Sequence, residues 1–137
     1  MKRFTSILVL AIALSTAACS GNDGEIKLES ATGPLTDKGG DATFTIDVVE
    51  SREEGYAPDA FRVRVTPEGQ EILDVSCAFD DVNANKRLDK GDKLTCSEGP
   101  ENKLDAQIAG KEAKVELFAK IDGSEERIGD ATWTPAK

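Results

Sequence analysis

The sequence predicts an all-β fold, built as an antiparallel β-sandwich of seven or eight strands. Three observations support this prediction. Short runs of alternating apolar and polar residues recur along the chain, turn signals rich in Gly, Pro and Asp separate them, and no long helical period interrupts them. The chain has 137 residues, which is the size of one domain.

The first predicted strands carry apolar residues at every second position, which places these residues on one face of each strand. The turn signals between them are TDKGGD at 36–41, SREEGYAPD at 51–59 and TPEGQ at 66–70. The alternating apolar positions are Ile26, Leu28, Phe44, Ile46, Val48, Phe61, Val63 and Val65.

The second half of the chain continues the same period. Its alternating apolar positions are Leu73, Val75, Cys77, Phe79, Leu94, Cys96, Val115, Leu117, Ala119 and Ile121. Asp122 and Gly123 predict a hairpin turn before a last strand over 128–134, whereas residues 100–114 fit either a short helical turn or another strand. Such regular spacing is typical of an immunoglobulin-like sandwich, and a small, partly open β-barrel is the alternative.

The N-terminal residues, MKRFTSILVLAIALSTAAC, have the three parts of a secretion signal. Lys2 and Arg3 are positive, residues 4–14 are apolar, and residues 15–18 are mostly small. The uncharged stretch over 4–18 is shorter than the roughly 20 residues that a membrane-spanning helix needs. We therefore predict that residues 1–18 are a signal peptide.

The end of this signal, Thr16-Ala17-Ala18-Cys19, resembles the lipobox of bacterial lipoproteins, although Thr16 stands where the family usually has Leu. The resemblance implies that Cys19 is lipidated and holds the protein on a membrane of the bacterial cell envelope. Ser20 follows Cys19 where an Asp would imply retention, so the outer membrane, which borders the periplasm, is the implied location, with either leaflet open. Residues 19–24 would then be the lipidated cysteine with a short tether, and 25–137 the single domain. Ordinary secretion with a free Cys19 thiol is the alternative.

Charge and composition exclude several classes of function. Without residues 1–18 the chain has 15 basic and 26 acidic residues, a net charge of −11. So acidic a domain repels nucleic acid and anionic headgroups, which leaves divalent cations and basic proteins as partners. The chain has no histidine, so it contains no Ser–His–Asp or Cys–His arrangement and no ordinary zinc site. We do not expect an enzyme.

The two remaining cysteines predict a disulfide. Cys77 and Cys96 both fall on the apolar face of their predicted strands, as a pair that meets in a core should. Closing a loop of about 20 residues stabilises a fold by roughly 3 kcal/mol in the chain-entropy model. Neither cysteine belongs to a CxxC motif, so the predicted bond is structural.

Between these cysteines, residues 81–92 read DVNANKRLDKGD, and this segment resembles the calcium loop of EF-hands, with a closing Asp as in dockerins. Calcium takes six to eight oxygen ligands. The resemblance implies a Ca²⁺ site with an aliphatic Leu88 pointing into the core. The implied ligands are the side chains of Asp81, Asn83 and Asn85, the carbonyl of Arg87, Asp89 through water, and Asp92.

The segment departs from the family in three ways. Lys86 stands at the sixth position, where the family has Gly, and with Arg87 and Lys90 it adds three positive charges. Both flanks also predict strands rather than helices.

These features leave two hypotheses open. The first is a non-catalytic cell-envelope lipoprotein with a structural calcium loop. The second is a metal-free acidic module of the inhibitor or adhesin type, with a polar turn at 81–92 and the loop 51–61 as its surface for a basic partner. Tyr56 in that loop is either an exposed aromatic anchor or a partly buried residue at the end of a strand.

Overall fold

The computed structural model describes residues 24–101 and 103–137. The predicted signal peptide 1–18 and Cys19 lie outside the described residues, as does the tether up to residue 23. Within the described ranges, no helix is long and apolar enough to cross a membrane.

The described chain forms seven β-strands and two short 3-10 helices. The strands are β1 Ile26–Ser30, β2 Ala42–Val48, β3 Phe61–Pro67, β4 Leu73–Asp80, β5 Lys93–Ser97, β6 Ala113–Ile121 and β7 Ser124–Trp133. The 3-10 helices are Pro58–Ala60 and Ala106–Ile108. The described part of the segment over 100–114 therefore contains a helical turn and, before β6 begins at Ala113, no further strand. The all-β prediction is confirmed.

All strands belong to one antiparallel sheet with the order β1-β2-β5-β4-β3-β6-β7. Strand β4 joins its two halves, because its first residues, 73–75, pair with β3 and its later residues, 76–80, pair with β5. The sheet is nearly closed: a Cβ on Gly129 of β7 would lie 2.9 Å from the side chain of Ile26 in β1. Of the two architectures that the sequence left open, the structure has the partly open barrel.

The apolar residues predicted from the alternation fill the interior of the barrel. Phe44 of β2 meets Trp133 of β7 edge to face, with 5.0 Å between ring centroids. Cys77 and Cys96 stand opposite each other on β4 and β5 and form the predicted disulfide, with their Cα atoms 4.0 Å apart. The fully buried members of the core include Ile46, Val65, Leu88, Leu94, Leu104, Val115, Leu117 and Ala119.

The last two strands form a tight hairpin. Asp122 and Gly123 have φ values of 50° and 85°, the pair of positive values that a two-residue type I′ turn requires. Strand β7 therefore begins at Ser124, directly after the turn and four residues before the predicted start.

Antiparallel order sorts the loops to two ends of the barrel. One end, here called the loop end, holds residues 24–25, which lead into β1, together with the loops 49–60, 81–92 and 122–123. The opposite end, here called the far end, holds the loops 31–41, 68–72 and 98–112 and the C-terminal residues.

Candidate metal centre

The segment 81–92 connects β4 to β5 at the loop end. Its two flanks are strands, as predicted, and their last residue pair before the loop is Asp80 opposite Lys93. The disulfide lies three pairs further along the same ladder. The loop thus rises from a stem that is both hydrogen-bonded and cross-linked.

The first carboxylate of the loop folds the backbone around itself. Asp81 accepts hydrogen bonds from the amides of Asn85, at 3.1 Å, and Lys86, at 2.6 Å. Asn83 Oδ1 accepts from the Asn85 amide at 3.0 Å, and Asn85 Oδ1 accepts from the Arg87 amide at 2.8 Å. The alternate side chains that the sequence singled out therefore all bond to the loop's own backbone.

Two non-glycine residues of the loop have left-handed backbone conformations. Ala84 has φ 59° and Lys86 has φ 62°. A non-glycine residue pays about 1–2 kcal/mol for this conformation. Lys86 thus adopts the backbone shape that the resemblance assigns to Gly at this position, and the bond from its amide to Asp81 holds it there.

Asp92 closes the loop from inside the protein. Its side chain is fully buried, and its carboxylate accepts from the amide of Val82 at 3.0 Å and the amide of Asp89 at 2.9 Å. Burial raises the pKa of Asp92, and the negative charges of Asp89 and Asp81 raise it further, whereas the two amide bonds partly offset this. The negative charges of Asp81 and Asp89 therefore repel that of Asp92 inside the loop, a charge arrangement that a cation would relieve.

Asp89 connects two other predicted ligands, the side chains of Asn83 and Asn85, by hydrogen bonds. Its Oδ1 accepts from the side-chain amide of Asn83 at 2.8 Å, and its Oδ2 accepts from the side-chain amide of Asn85. The structure thus links all five predicted side-chain ligands into one hydrogen-bonded set. Arg87, whose carbonyl was the sixth predicted ligand, sends its side chain to the carbonyl groups of Glu54 and Gly55.

This donor set fits a hard cation in its chemistry. Three carboxylates and two amides supply oxygen ligands of the kind that Ca²⁺ takes, and the amide oxygens of Asn83 and Asn85 each keep a second lone pair. Across residues 24–101 and 103–137, no group of three or more Cys, Asp or Glu side chains is placed to hold a metal ion by itself. The amide and backbone oxygens would therefore have to complete the coordination.

A second loop, which the sequence reading did not connect to this one, packs against it. Residues 50–56, here called the strap, pair with the candidate loop through Tyr56 and Leu88. The Tyr56 amide donates to the Leu88 carbonyl at 2.8 Å, and the Leu88 amide donates to the Tyr56 carbonyl at 2.7 Å. Both side chains are buried, so Leu88 points into the core as predicted and Tyr56 is not an exposed anchor. The Arg52 guanidinium lies 4.9 Å from the centre of the Tyr56 ring.

The strap lies so close to the loop that only glycine fits at its centre. A Cβ on Gly55, which has φ +60°, would be 2.9 Å from both the Asp89 Cβ and the Leu88 carbonyl oxygen. The Lys90 amide donates to Ser51 Oγ at 3.0 Å. The signal that could have revealed this contact is Gly55 itself, placed between two acidic residues and a buried aromatic residue.

Comparison of the chain with protein-family models, curated proteins and solved structures found no match.

Proposed function

We propose that the protein is a non-catalytic lipoprotein of the bacterial cell envelope whose barrel carries a structural calcium-binding loop at residues 81–92. One observation supports this proposal best. Five oxygen-bearing side chains at the spacing of a calcium loop belong to one hydrogen-bonded set, which the buried Asp92 closes. Lipid attachment at Cys19 rests on the lipobox resemblance alone.

The ion would act on charge and order rather than on chemistry. Bound among Asp81, Asp89 and Asp92, it would remove the repulsion between these carboxylates. The nearby charges of Lys86, Arg87 and Lys90 weaken this attraction, so we expect a dissociation constant on the order of 10⁻⁴–10⁻³ M, as in extracellular modules. Because the strap bonds directly to the loop, calcium would stabilise both segments together.

The test is a pair of thermal melts of the purified chain with its disulfide intact, one in millimolar calcium and one in excess chelator. A ligand at 100 times its dissociation constant stabilises a fold by about 2.7 kcal/mol, which raises the melting temperature of a domain of this size by roughly 10 °C. At a few times the constant we expect a rise of a few degrees. Magnesium should not reproduce it.

The variant Asp81→Ala distinguishes stabilisation by the ion from stabilisation by the hydrogen bonds of the loop. It removes two backbone contacts, so it lowers the melting temperature in both buffers, but it should also abolish the difference between them. Glu126→Ala, which removes an exposed charge on β7, is the matched control and should keep the calcium-dependent rise. Overlapping melts of the unaltered chain would exclude a structural calcium site.

The metal-free acidic interaction module is the second candidate, and one observation favours it. Both oxygens of Asp89 accept side-chain amides from Asn83 and Asn85, so the loop closes through its own bonds without an ion. On this hypothesis calcium has no effect on stability, and the partner is a basic protein that meets the acidic surface. The buried Tyr56 takes no part in that surface.

A further inference from the structure

We propose that the edge of strand β4 at the loop end binds an extended, basic segment of a partner protein, which adds to the sheet as a further strand. Residues 76–80 form this edge, here called the β4 edge. Its binding needs neither a calcium ion nor a lipid, so it goes beyond the proposed function.

Strand β3 covers only the first half of β4. Residues 73–75 pair with β3, and the last of these pairs is Val63 opposite Val75. The residues of β3 that continue toward the loop end, Phe61 and Arg62, pair with β6 and not with β4. The β4 edge therefore faces a gap between the two strands instead of a neighbouring strand.

The backbone groups that point into this gap belong to Cys77 and Phe79. The Cα atoms of Cys77 and Cys96 are 4.0 Å apart, the close spacing of a non-hydrogen-bonded pair in an antiparallel ladder. The amide and carbonyl of Cys77 therefore point away from β5, and those of Phe79, two residues further on, do the same. Within residues 24–101 and 103–137, no backbone group bonds to them.

This stretch of β4 lies at the surface. Cys77 and Phe79 are only partly buried, and Ala78 between them is exposed. Two amides and two carbonyl groups are thus free in the arrangement that an added strand uses, since strand addition to a sheet edge obtains its affinity from main-chain hydrogen bonds.

Apolar side chains form the floor of the gap. The rings of Phe61 and Phe79 meet edge to face across it, with 6.1 Å between their centroids, and both are partly buried. Leu94 and Cys96, which neighbour this part of β4 on β5, are fully buried. The exposed part of Phe79 therefore lies on the side of the gap, where apolar side chains of an added strand would cover it.

The charges at the β4 edge are negative and uncompensated. Asp80 follows Phe79 and points to the outer face of the sheet, where it is exposed. Its neighbour across the ladder, Lys93, bonds to Asp47 at 3.2 Å instead. Asp59 is exposed in the 3-10 helix that leads into β3. Neither Asp59 nor Asp80 forms an ion pair with any residue that the structure describes.

The one cation that β3 places at the gap is already engaged. Arg62 pairs with Asp74 at 3.4 Å and with Glu125 on β7. It therefore does not neutralise the carboxylates beside the β4 edge.

These features select a basic partner with alternating side chains. Phe79 and Asp80 point to opposite faces, so a complementary strand carries an apolar residue beside Phe79 and Lys or Arg beside Asp80. A second copy of this chain is the poorer match, because two strongly acidic domains repel each other.

The experiment measures amide hydrogen exchange of the full chain, disulfide intact and in chelator, with and without the peptide KVKVKVKV at low salt. We expect exchange at Cys77 and Phe79 to slow about tenfold when roughly nine tenths of the chain is bound, since only the free tenth exchanges. The Ala78 amide, which points to β5, should be slow in both samples. The peptide EVEVEVEV has the same alternation with the opposite charge and should not bind.

Two double variants test the charges. Asp59→Asn with Asp80→Asn should weaken binding of KVKVKVKV about tenfold, at roughly threefold for each exposed ion pair. Glu68→Gln with Glu71→Gln removes the same charge from exposed positions at the far end and should leave the affinity unchanged.

Each other outcome rejects the proposal at a defined step. Slow exchange at Cys77 and Phe79 in the free chain would mean that the edge is already closed, and a dependence on protein concentration would assign it to a second copy. Peptide binding without protection of these two amides would exclude strand addition. Equal losses in the two double variants would mean general attraction to an acidic surface. None of these results depends on calcium, so the β4 edge and the calcium loop fail separately.

Discussion

Lys86 adopts a left-handed backbone conformation, although it is neither glycine nor asparagine, because neighbouring hydrogen bonds hold it there. Asp81 accepts its amide at 2.6 Å and the Asn85 amide at 3.1 Å, so the turn forms around the carboxylate. The sequence marked Lys86 as a departure from the calcium-loop pattern. In the tertiary structure, Lys86 differs from the calcium-loop pattern in residue type, but its backbone has the positive φ that the pattern requires.

Glu98 is a buried carboxyl group at the far end that no sequence motif marked. It is only 3% exposed, and its Oε1 accepts from the Asp41 amide at 3.3 Å. Burial raises the pKa of Glu98, and the charge of Asp41 adds to this effect. Asp41 itself accepts from the amide of Thr36, at 2.6 Å, and from its hydroxyl, at 2.8 Å, and these bonds lower the pKa of Asp41.

Glu98→Gln should stabilise the protein at pH 7. In the folded chain the pKa of Glu98 lies above its ordinary value of 4.5, so folding favours the protonated form. The stabilisation that the protonated Glu98 carboxyl gives to the fold is fully present below pH 4.5, and it is lost as the pH rises through the folded pKa. Denaturant unfolding should therefore give the variant a larger free energy of unfolding at pH 7 and a much smaller advantage at pH 4. Glu126→Gln, at an exposed position, is the control. A gain in stability of equal size at both pH values would contradict the explanation that the gain comes from removing the buried negative charge of Glu98.

The strap and the candidate loop are connected elements, although about thirty residues separate them in the sequence. Their contact is a two-way backbone pairing between Tyr56 and Leu88 together with side-chain bonds from Arg87 to the strap's carbonyl groups. Because Gly55 has no Cβ, the strap can approach the backbone of the loop closely. Any change that moves the strap should therefore change the loop as well.

Gly55→Ala tests this contact. The added Cβ would lie 2.9 Å from Asp89 Cβ and from the Leu88 carbonyl, in a backbone with φ +60°. We expect destabilisation of roughly 3 kcal/mol, of which about 1 kcal/mol is backbone strain and the rest displacement of the loop. Chemical denaturation measures the loss. Gly69→Ala is the matched control, since Gly69 has φ +73° with nothing within 4 Å, and it should show the strain alone. Equal losses in the two variants would mean that the strap does not press on the loop.

At the scale of the whole molecule, the barrel depends on strand β4, which connects the two halves of the sheet. Strand β4 gives its first three residues to β3 and its later residues to β5, so the two halves of the sheet curl toward each other. The disulfide from Cys77 to Cys96 lies on the β5 side of this strand, at the base of the candidate loop. It therefore holds the stem from which the loop rises.

Replacing both Cys77 and Cys96 by Ala should lower the free energy of unfolding by about 3 kcal/mol in the chain-entropy model. Thermal melts in chelator measure this loss without any contribution from calcium. The double variant Ser76→Ala with Ser97→Ala is the control, because these residues form the neighbouring pair on the same two strands. A loss no larger than that of the serine control would show that the bond adds nothing to the stem.

The sequence by itself determined roughly where the strands lie and which face of each strand is apolar. Alternation of period two marks one face of each strand, and it correctly placed Ile46, Val65, Leu94 and Leu117 inside. The two core cysteines could be paired for the same reason, since both occupied apolar-face positions. The five polar positions of the loop were likewise visible, because their spacing lies within twelve consecutive residues.

Only the tertiary structure decided between sandwich and barrel, because alternation fixes the face of a strand and not its neighbours. The split pairing of β4 depends on long-range contacts that no local pattern records. The same holds for the burial of Tyr56 and the close approach of Gly55, which follow from packing two distant loops at one end of the sheet. Local periodicity thus determined the strands, the resemblance to a calcium loop supplied the candidate ligands, and long-range pairing determined which surfaces surround them.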